Sequence, residues 1–214
     1  MSGRAVIERR RRILDDFFKI DEVLVAHEQG DGTMSSAQRR LVFERGDSIG
    51  VLLFHRERQT VVLVEQFRLP ALLARRRDDG ATTDGWVVET VAGMIDGDET
   101  PDAVAIRETY EETGYRIGSP HLIGRFFASP GGTSERIFLY FAEVGEADRT
   151  GAGGGIGDED IKVVEWSLAE LFERISRGAI EDPKLALAAY WLKCRLRQPS
   201  AGDAVCERAG PAIS

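Results

Sequence analysis

GMIDGDETPDAVAIRETYEETGY, residues Gly93 to Tyr115, sets four glutamates and three aspartates among 23 positions with a single arginine. Like charges four apart on a helix repel, so acid at this density implies a compensating charge that the stretch does not contain. Its punctuation is that of a helix. Thr100 is an N-cap, Pro101 takes the first helical position, Asp102 lies in the first turn and Gly114 supplies the stop. At about 100° per residue, Ile106, Tyr110 and Ala103 share one side with Thr109 and Thr113 flanking it, and that side is expected to face a core. Glu108 and Glu112 stack a turn apart on the opposite side, with Glu111 about 60° from Glu108. Arg107 stands four residues before Glu111, placed for an ion pair. A stabilised surface helix interleaves its acids with lysines, and this one does not. Three carboxylates on one patch are oxygen donors of the kind a hard divalent cation takes, Mg2+ or Mn2+.

The rest of the chain limits what such a site can serve. A length of 214 residues fits one domain with tails. The formal net charge of −8 argues against a surface that coats nucleic acid, and a phosphorylated substrate would then need local arginines or a bridging cation. Cys194 and Cys206 belong to no CxxC or Cys/His cluster, which speaks against a disulfide scaffold and a zinc site. No apolar run reaches membrane-spanning length. The start, MSGRAVIERRRRILDDFF, has an arginine cluster but no apolar stretch for a signal peptide, and acids follow too quickly for an import sequence. A cytoplasmic protein is expected.

FFKIDEVLVAHE (17–28) alternates like a strand, and SAQRRLVFERG, SIGVLLFHRE, TVVLVEQFR, GWVVETVAG, HLIGRFFAS, RIFLYFAEV and IKVVEWS read as further strands. LPALLARRRDDGATTD (69–84) breaks that pattern and reads as a loop or insertion. GEADRTGAGGGIGDED is a Gly-rich loop longer than packing requires. LAELFERISRG and PKLALAAYWLKCRLR read as closing helices, and the tail from 198 to 214 reads as disordered. The implied divisions are N-terminal strands over 1–46, a main domain over 47–197 and the tail. Strands mixed with a few helices give an α/β or α+β sandwich.

The opening stretch resembles the Nudix box, G-x5-E-x7-R-E-U-x-E-E-x-G-U with U bulky and apolar. Gly93, Glu99, Arg107, Glu108, Glu111, Glu112 and Gly114 stand at the required spacings, with Thr109 and Tyr115 at the U positions. The resemblance implies an α/β/α sandwich around a mixed sheet, and hydrolysis of a nucleoside diphosphate linked to another moiety. It implies that Glu108 and Glu112 hold Mg2+ (Mn2+ as alternative), helped by Glu111 and the carbonyl of Ala92, while Glu99 and Arg107 keep the loop–helix–loop in shape. Cations there neutralise pyrophosphate and acidify a bound water.

Pro130, sixteen residues after Gly114, resembles the mark of the ADP-ribose pyrophosphatase branch. AGGGIGDEDIKVVEWS and IEDPKLALAAYWL look like the GDP-mannose pyrophosphatase group within it. That likeness implies that Glu159, beside Asp158, is a further metal ligand or the general base, on a loop given freedom to close by Gly153 to Gly155. It assigns phosphate or substrate contacts to Arg68, Gly93, Met94, Glu135, Asp158 and Lys184, with Glu89 orienting an arginine. It makes Phe17 a nucleobase platform, and Arg39 and Arg40 a basic pair lent across a homodimer by the N-terminal hairpin. Leu41 stands where that group has an acid. GDP-mannose is the favoured substrate and ADP-ribose the alternative. A non-catalytic nucleotide-sugar sensor would have lost box acids that this chain keeps, and action on RNA caps would call for a basic groove.

Overall fold

The computed structural model describes residues 3–79 and 84–197. The chain opens with β1 (Ala5–Asp15), β2 (Lys19–His27) and β3 (Gln38–Glu44), an antiparallel sheet in that order. The arginine-rich start is thus a strand, not only a charge cluster. Arg10 and Arg12 on β1 both grip the buried Asp21 of β2, at 2.7 and 2.6 Å. Arg11 reaches Glu22 at 3.0 Å.

Next come β4 (Ser48–His55) and β5 (Thr60–Phe67), helix α1 (Leu69–Asp79), β6 (Trp86–Glu89), β7 (Val91–Met94) and α2 (Pro101–Thr113). β8 (His121–Phe127), β9 (Arg136–Val144), β10 (Ile161–Ser167), α3 (Leu168–Ser176) and α4 (Pro183–Arg197) complete the fold. The second sheet runs β10-β5-β4-β9-β8, with β6 on β5 and β7 on β4. It is mixed, because β4 and β9 are parallel while their neighbours are antiparallel. The segment read as one strand, GWVVETVAG, is two. The chain leaves β5 at Glu89 and joins β4 at Val91, crossing at Thr90.

Alternation along β4 sorts the core into two layers. Ile49, Val51 and Leu53 pack with Val104 and Ala105 of α2. Leu52 and Phe54 pack with Leu171 of α3 and with Leu185, Ala188 and Leu192 of α4. This is the expected α/β/α sandwich around a mixed sheet. The Phe43 amide donates to the carbonyl of Gly132 at 2.8 Å, tying the first sheet to the loop before β9.

Two further readings need correction. The 69–84 segment is helical over 69–79, anchored by Arg75, which donates to the Trp86 carbonyl at 3.1 Å and pairs with Asp84 and Glu181. Helix α2 also buries a different face from the one expected. Ile106 is 38% exposed and Ala103 is exposed, whereas Val104, Ala105, Thr109, Glu112 and Thr113 are buried. The threonine hydroxyls make that rotation possible, donating to carbonyls one turn back at 2.7 Å (Thr109 to Ala105) and 2.5 Å (Thr113 to Thr109). The 198–214 tail lies outside the described residues, and no helix among them is long and apolar enough to cross a membrane.

Candidate active site

Local sequence fixes the acidic helix at both ends. The Thr100 side chain accepts from the Ala103 amide, Pro101 opens the helix, and Gly114 closes it at φ 76° with its amide on the Tyr110 carbonyl. Arg107 is the hub of the exposed edge. It meets Glu99 through Nε and Nη2 at 3.2 Å each, and its Nη1 meets Glu108 at 2.9 Å and Glu111 at 3.0 Å. Glu112, one turn beyond Glu108, lies deeper against the same strand, β7. It is 3% exposed and accepts a long hydrogen bond, 3.3 Å, from the Ala92 amide on β7.

Burial pushes the Glu112 carboxyl up to about 8, with the charges of Glu108 and Glu159 adding to the rise. Burial also raises Glu108, against the pull of Arg107. Among the described residues no three side chains stand ready around a single cation position, because Arg107 draws two of the carboxylates to itself. The donor set nonetheless fits a hard divalent cation. These are all-oxygen groups, and a nearly enclosed carboxylate with one long hydrogen bond is held ionised by a cation beside it.

The Gly-rich loop is docked on the end of α2 as far as Gly155. Gly154 and Gly155 donate their amides to the carbonyls of Glu112 and Glu111 at 2.8 and 3.1 Å, and Thr150 donates to Gly114 at 3.0 Å. These bonds satisfy carbonyls that the end of α2 leaves open. Gly153 holds φ 71°, and a Cβ there would stand 2.6 Å from the Glu112 carbonyl oxygen, so here glycine serves close approach and a left-handed turn. Glu159 is exposed and folds back, accepting from the Ile156 amide at 2.9 Å, while Asp158 is exposed beside it.

Two cations lie near Glu112, Arg68 within reach of its charge and Lys184 joined to Arg68 through Glu89. Arg68 at the end of β5 meets Glu89 of β6 in two parallel bonds, 2.7 and 3.1 Å. Lys184 on α4 sends Nζ to Asp182 at 2.8 Å and to Glu89 at 3.4 Å. Burial pushes Glu89 up, but the Arg68 hydrogen bond and the charges of Lys184 and Arg68 outweigh it and leave the carboxyl below its ordinary range. The structure bears out Glu89 as the partner of an arginine. Asp182 was not singled out from sequence, although an Asp directly before Pro183 carries the signature of a helix N-cap.

Glu135 is buried, accepts from the Ser48 hydroxyl at 2.8 Å and lies 3.6 Å from Arg45. Arg45 also stands 3.2 Å from the Met94 sulfur, which brings Met94 and Glu135 together around an arginine that the sequence reading missed. Gly93 lies under the Glu108 carboxylate. Phe17, Arg39 and Arg40 are not part of this grouping within one chain. Phe17 is 87% exposed, Arg39 pairs with Glu22, and Arg40 turns to Gln38.

Comparison with known proteins agrees with this geometry. The NUDIX domain family matches residues 44–186. The GDP-mannose pyrophosphatase of Cronobacter sakazakii is 33% identical over 195 residues, covering 91% of this chain and 98% of its own. That of Klebsiella pneumoniae is 35% identical over 193 residues, covering 90% and 93%. The crystal structure of an ADP compounds hydrolase matches with a TM-score of 0.62 at 17% identity, over 91% of this chain and 97% of its own, a likeness of fold. An acidic helix pinned by Arg107 on a sheet sandwiched between helices, together with a family match from 44 to 186, makes this chain a member of the Nudix family.

Proposed function

We propose that the protein hydrolyses the pyrophosphate of nucleoside diphosphate sugars with the help of Mg2+, GDP-mannose being preferred and ADP-ribose second. One observation carries the reading: the carboxylates of Glu108, Glu111 and Glu112 gather at one end of a patch whose other end is the cation pair Arg68 and Lys184. In a protein of net charge −8, that pair supplies N–H donors for a pyrophosphate, while Glu89 and Asp182 balance its charge and leave neutralisation of the phosphates to the bound cation. The names of the relatives favour GDP-mannose, and Pro130 favours ADP-ribose.

Water adds to one phosphorus, the anhydride P–O bond breaks, and the bridging oxygen leaves with the other phosphate. The products are a nucleoside monophosphate and a sugar phosphate. A bound divalent cation, Mg2+ or Mn2+, supplies charge neutralisation and a more acidic water. Glu108, Glu111, Glu112 and the Ala92 carbonyl would hold it. Glu159 takes the proton of the attacking water or adds a ligand, and Asp158 stands beside it for substrate. Arg68 and Lys184 orient the phosphates, Glu89 keeps Arg68 aimed, and Gly93, Met94 and Glu135 border the substrate.

Phe17, Arg39 and Arg40 serve a neighbouring protomer in this reading. Support comes from β1, whose residues are exposed throughout, including the apolar Val6, Ile7, Ile13 and Leu14. The protein is then a cytoplasmic homodimer acting on a small molecule, without nucleic acid or membrane partners. Replacing Glu112 by Gln should remove turnover of GDP-mannose in Mg2+ while the fold is kept, and retained turnover would refute the role of this carboxylate.

A further inference from the structure

Asp182, in the connection before α4, is 4% exposed and meets four donors. Its Oδ1 accepts from the Lys184 amide at 3.1 Å and from Lys184 Nζ at 2.8 Å. Its Oδ2 accepts from the Leu185 amide at 3.2 Å and from the Thr90 amide at 3.3 Å. The two amides of α4 are the duty of a helix N-cap, which Ser or Asn performs about as well as Asp. Capping explains neither the ammonium nor Thr90.

Both of those contacts lead to the candidate site. Lysine carries its charge on a stem of four rotatable carbons, so its head is placed only as well as its partners place it. The Lys184 stem is confined where it crosses β4, since a Cβ on Gly50 would stand 3.2 Å from its Cδ. Its head is then shared by Asp182 and Glu89, and Glu89 in turn holds Arg68. Thr90 is the point at which the chain passes to β7, the strand that carries Ala92, Gly93 and Met94.

We infer that Asp182 is a positioning residue for Lys184, fixing its ammonium relative to Arg68 and to β7. The inference rests on Lys184 being a phosphate contact, as proposed above. Asp182→Asn keeps a capping oxygen and removes the charge that holds Nζ. The test measures kcat and KM on GDP-mannose with Mg2+, and thermal melting, for D182N, K184A and the double variant, with Asp182→Ser replacing D182N if the latter does not fold.

The expected result is a KM raised about tenfold in D182N, the scale of one lost hydrogen bond to a charged group, with kcat close to wild type. Melting falls in D182N, because the Asn amide nitrogen faces two of the four donors, and K184A, which keeps all Asp182 backbone contacts, separates that loss from the change in KM. The double variant should be no worse than K184A, because Asp182 acts through Lys184. Wild-type KM in D182N beside an impaired K184A would overturn the inference, as would additive losses in the double variant. Wild-type kinetics in K184A would instead remove the substrate role of Lys184, and the inference with it.

Discussion

Gly93 and the Glu108 carboxylate lie in such close apposition that a Cβ at position 93 would stand 2.3 Å from Glu108 Oε1. The atoms in the way are Oε1, Cδ and Cγ of Glu108 and no backbone atom, so a methyl group is accommodated only by swinging the whole Glu108 side chain away from β7. Gly93→Ala should therefore melt near the wild-type temperature while turnover falls about 100-fold, the scale for a catalytic group displaced by about 1 Å. Loss of stability in step with activity would count against this account.

Gly153 meets backbone instead. A Cβ there would stand 2.6 Å from the Glu112 carbonyl, at a φ of 71°, whereas Gly157 at φ 63° faces open space. Gly153→Ala should cost about 3 kcal/mol in urea unfolding, and Gly157→Ala about 1 kcal/mol. Equal costs would mean that the loop is not docked on the end of α2.

Glu89 predicts a pH dependence of stability. Its carboxyl is held below its ordinary value in the folded protein, so the stabilisation it gives is present above that ordinary value, 4.5, and is lost as pH falls through the folded value. Glu89→Gln should lower stability by about 1–3 kcal/mol at pH 7, and the gap to wild type should narrow below pH 4. A gap unchanged at pH 3.5 would contradict the ion-pair account.

Much of this architecture is legible in the sequence because local and global signals agree. The capped acidic helix announces itself through Thr100, Pro101 and Gly114, and β4 and β5 through unbroken apolar runs. β1 is hidden because all of its residues are exposed. Its cohesion comes from Arg10 and Arg12 on Asp21, and charge ladders leave no apolar alternation to read. α1 is hidden because LPALLARRRDD lacks a helical apolar period, its side-chain anchorage coming from Arg75 bonds to distant residues.

The candidate site divides along the same line. Box spacing alone identifies Glu108, Glu111 and Glu112, but the inward turn of Glu112 depends on Thr109 and Thr113 satisfying their hydroxyls within the helix. Asp182 and Arg45 act across long sequence separations, 92 residues from Asp182 to Thr90 and 49 from Arg45 to Met94. No local pattern encodes such pairs.

The central claim is tested most directly by phosphate-coupled turnover of the purified protein on GDP-mannose, ADP-ribose and ADP-glucose, each in Mg2+ and in EDTA. The account predicts cleavage of GDP-mannose well above the other two, abolished by EDTA and restored by excess Mg2+. Absence of turnover on all three in Mg2+, with the box intact and the protein folded, would contradict it and favour a nucleotide-sugar-binding module.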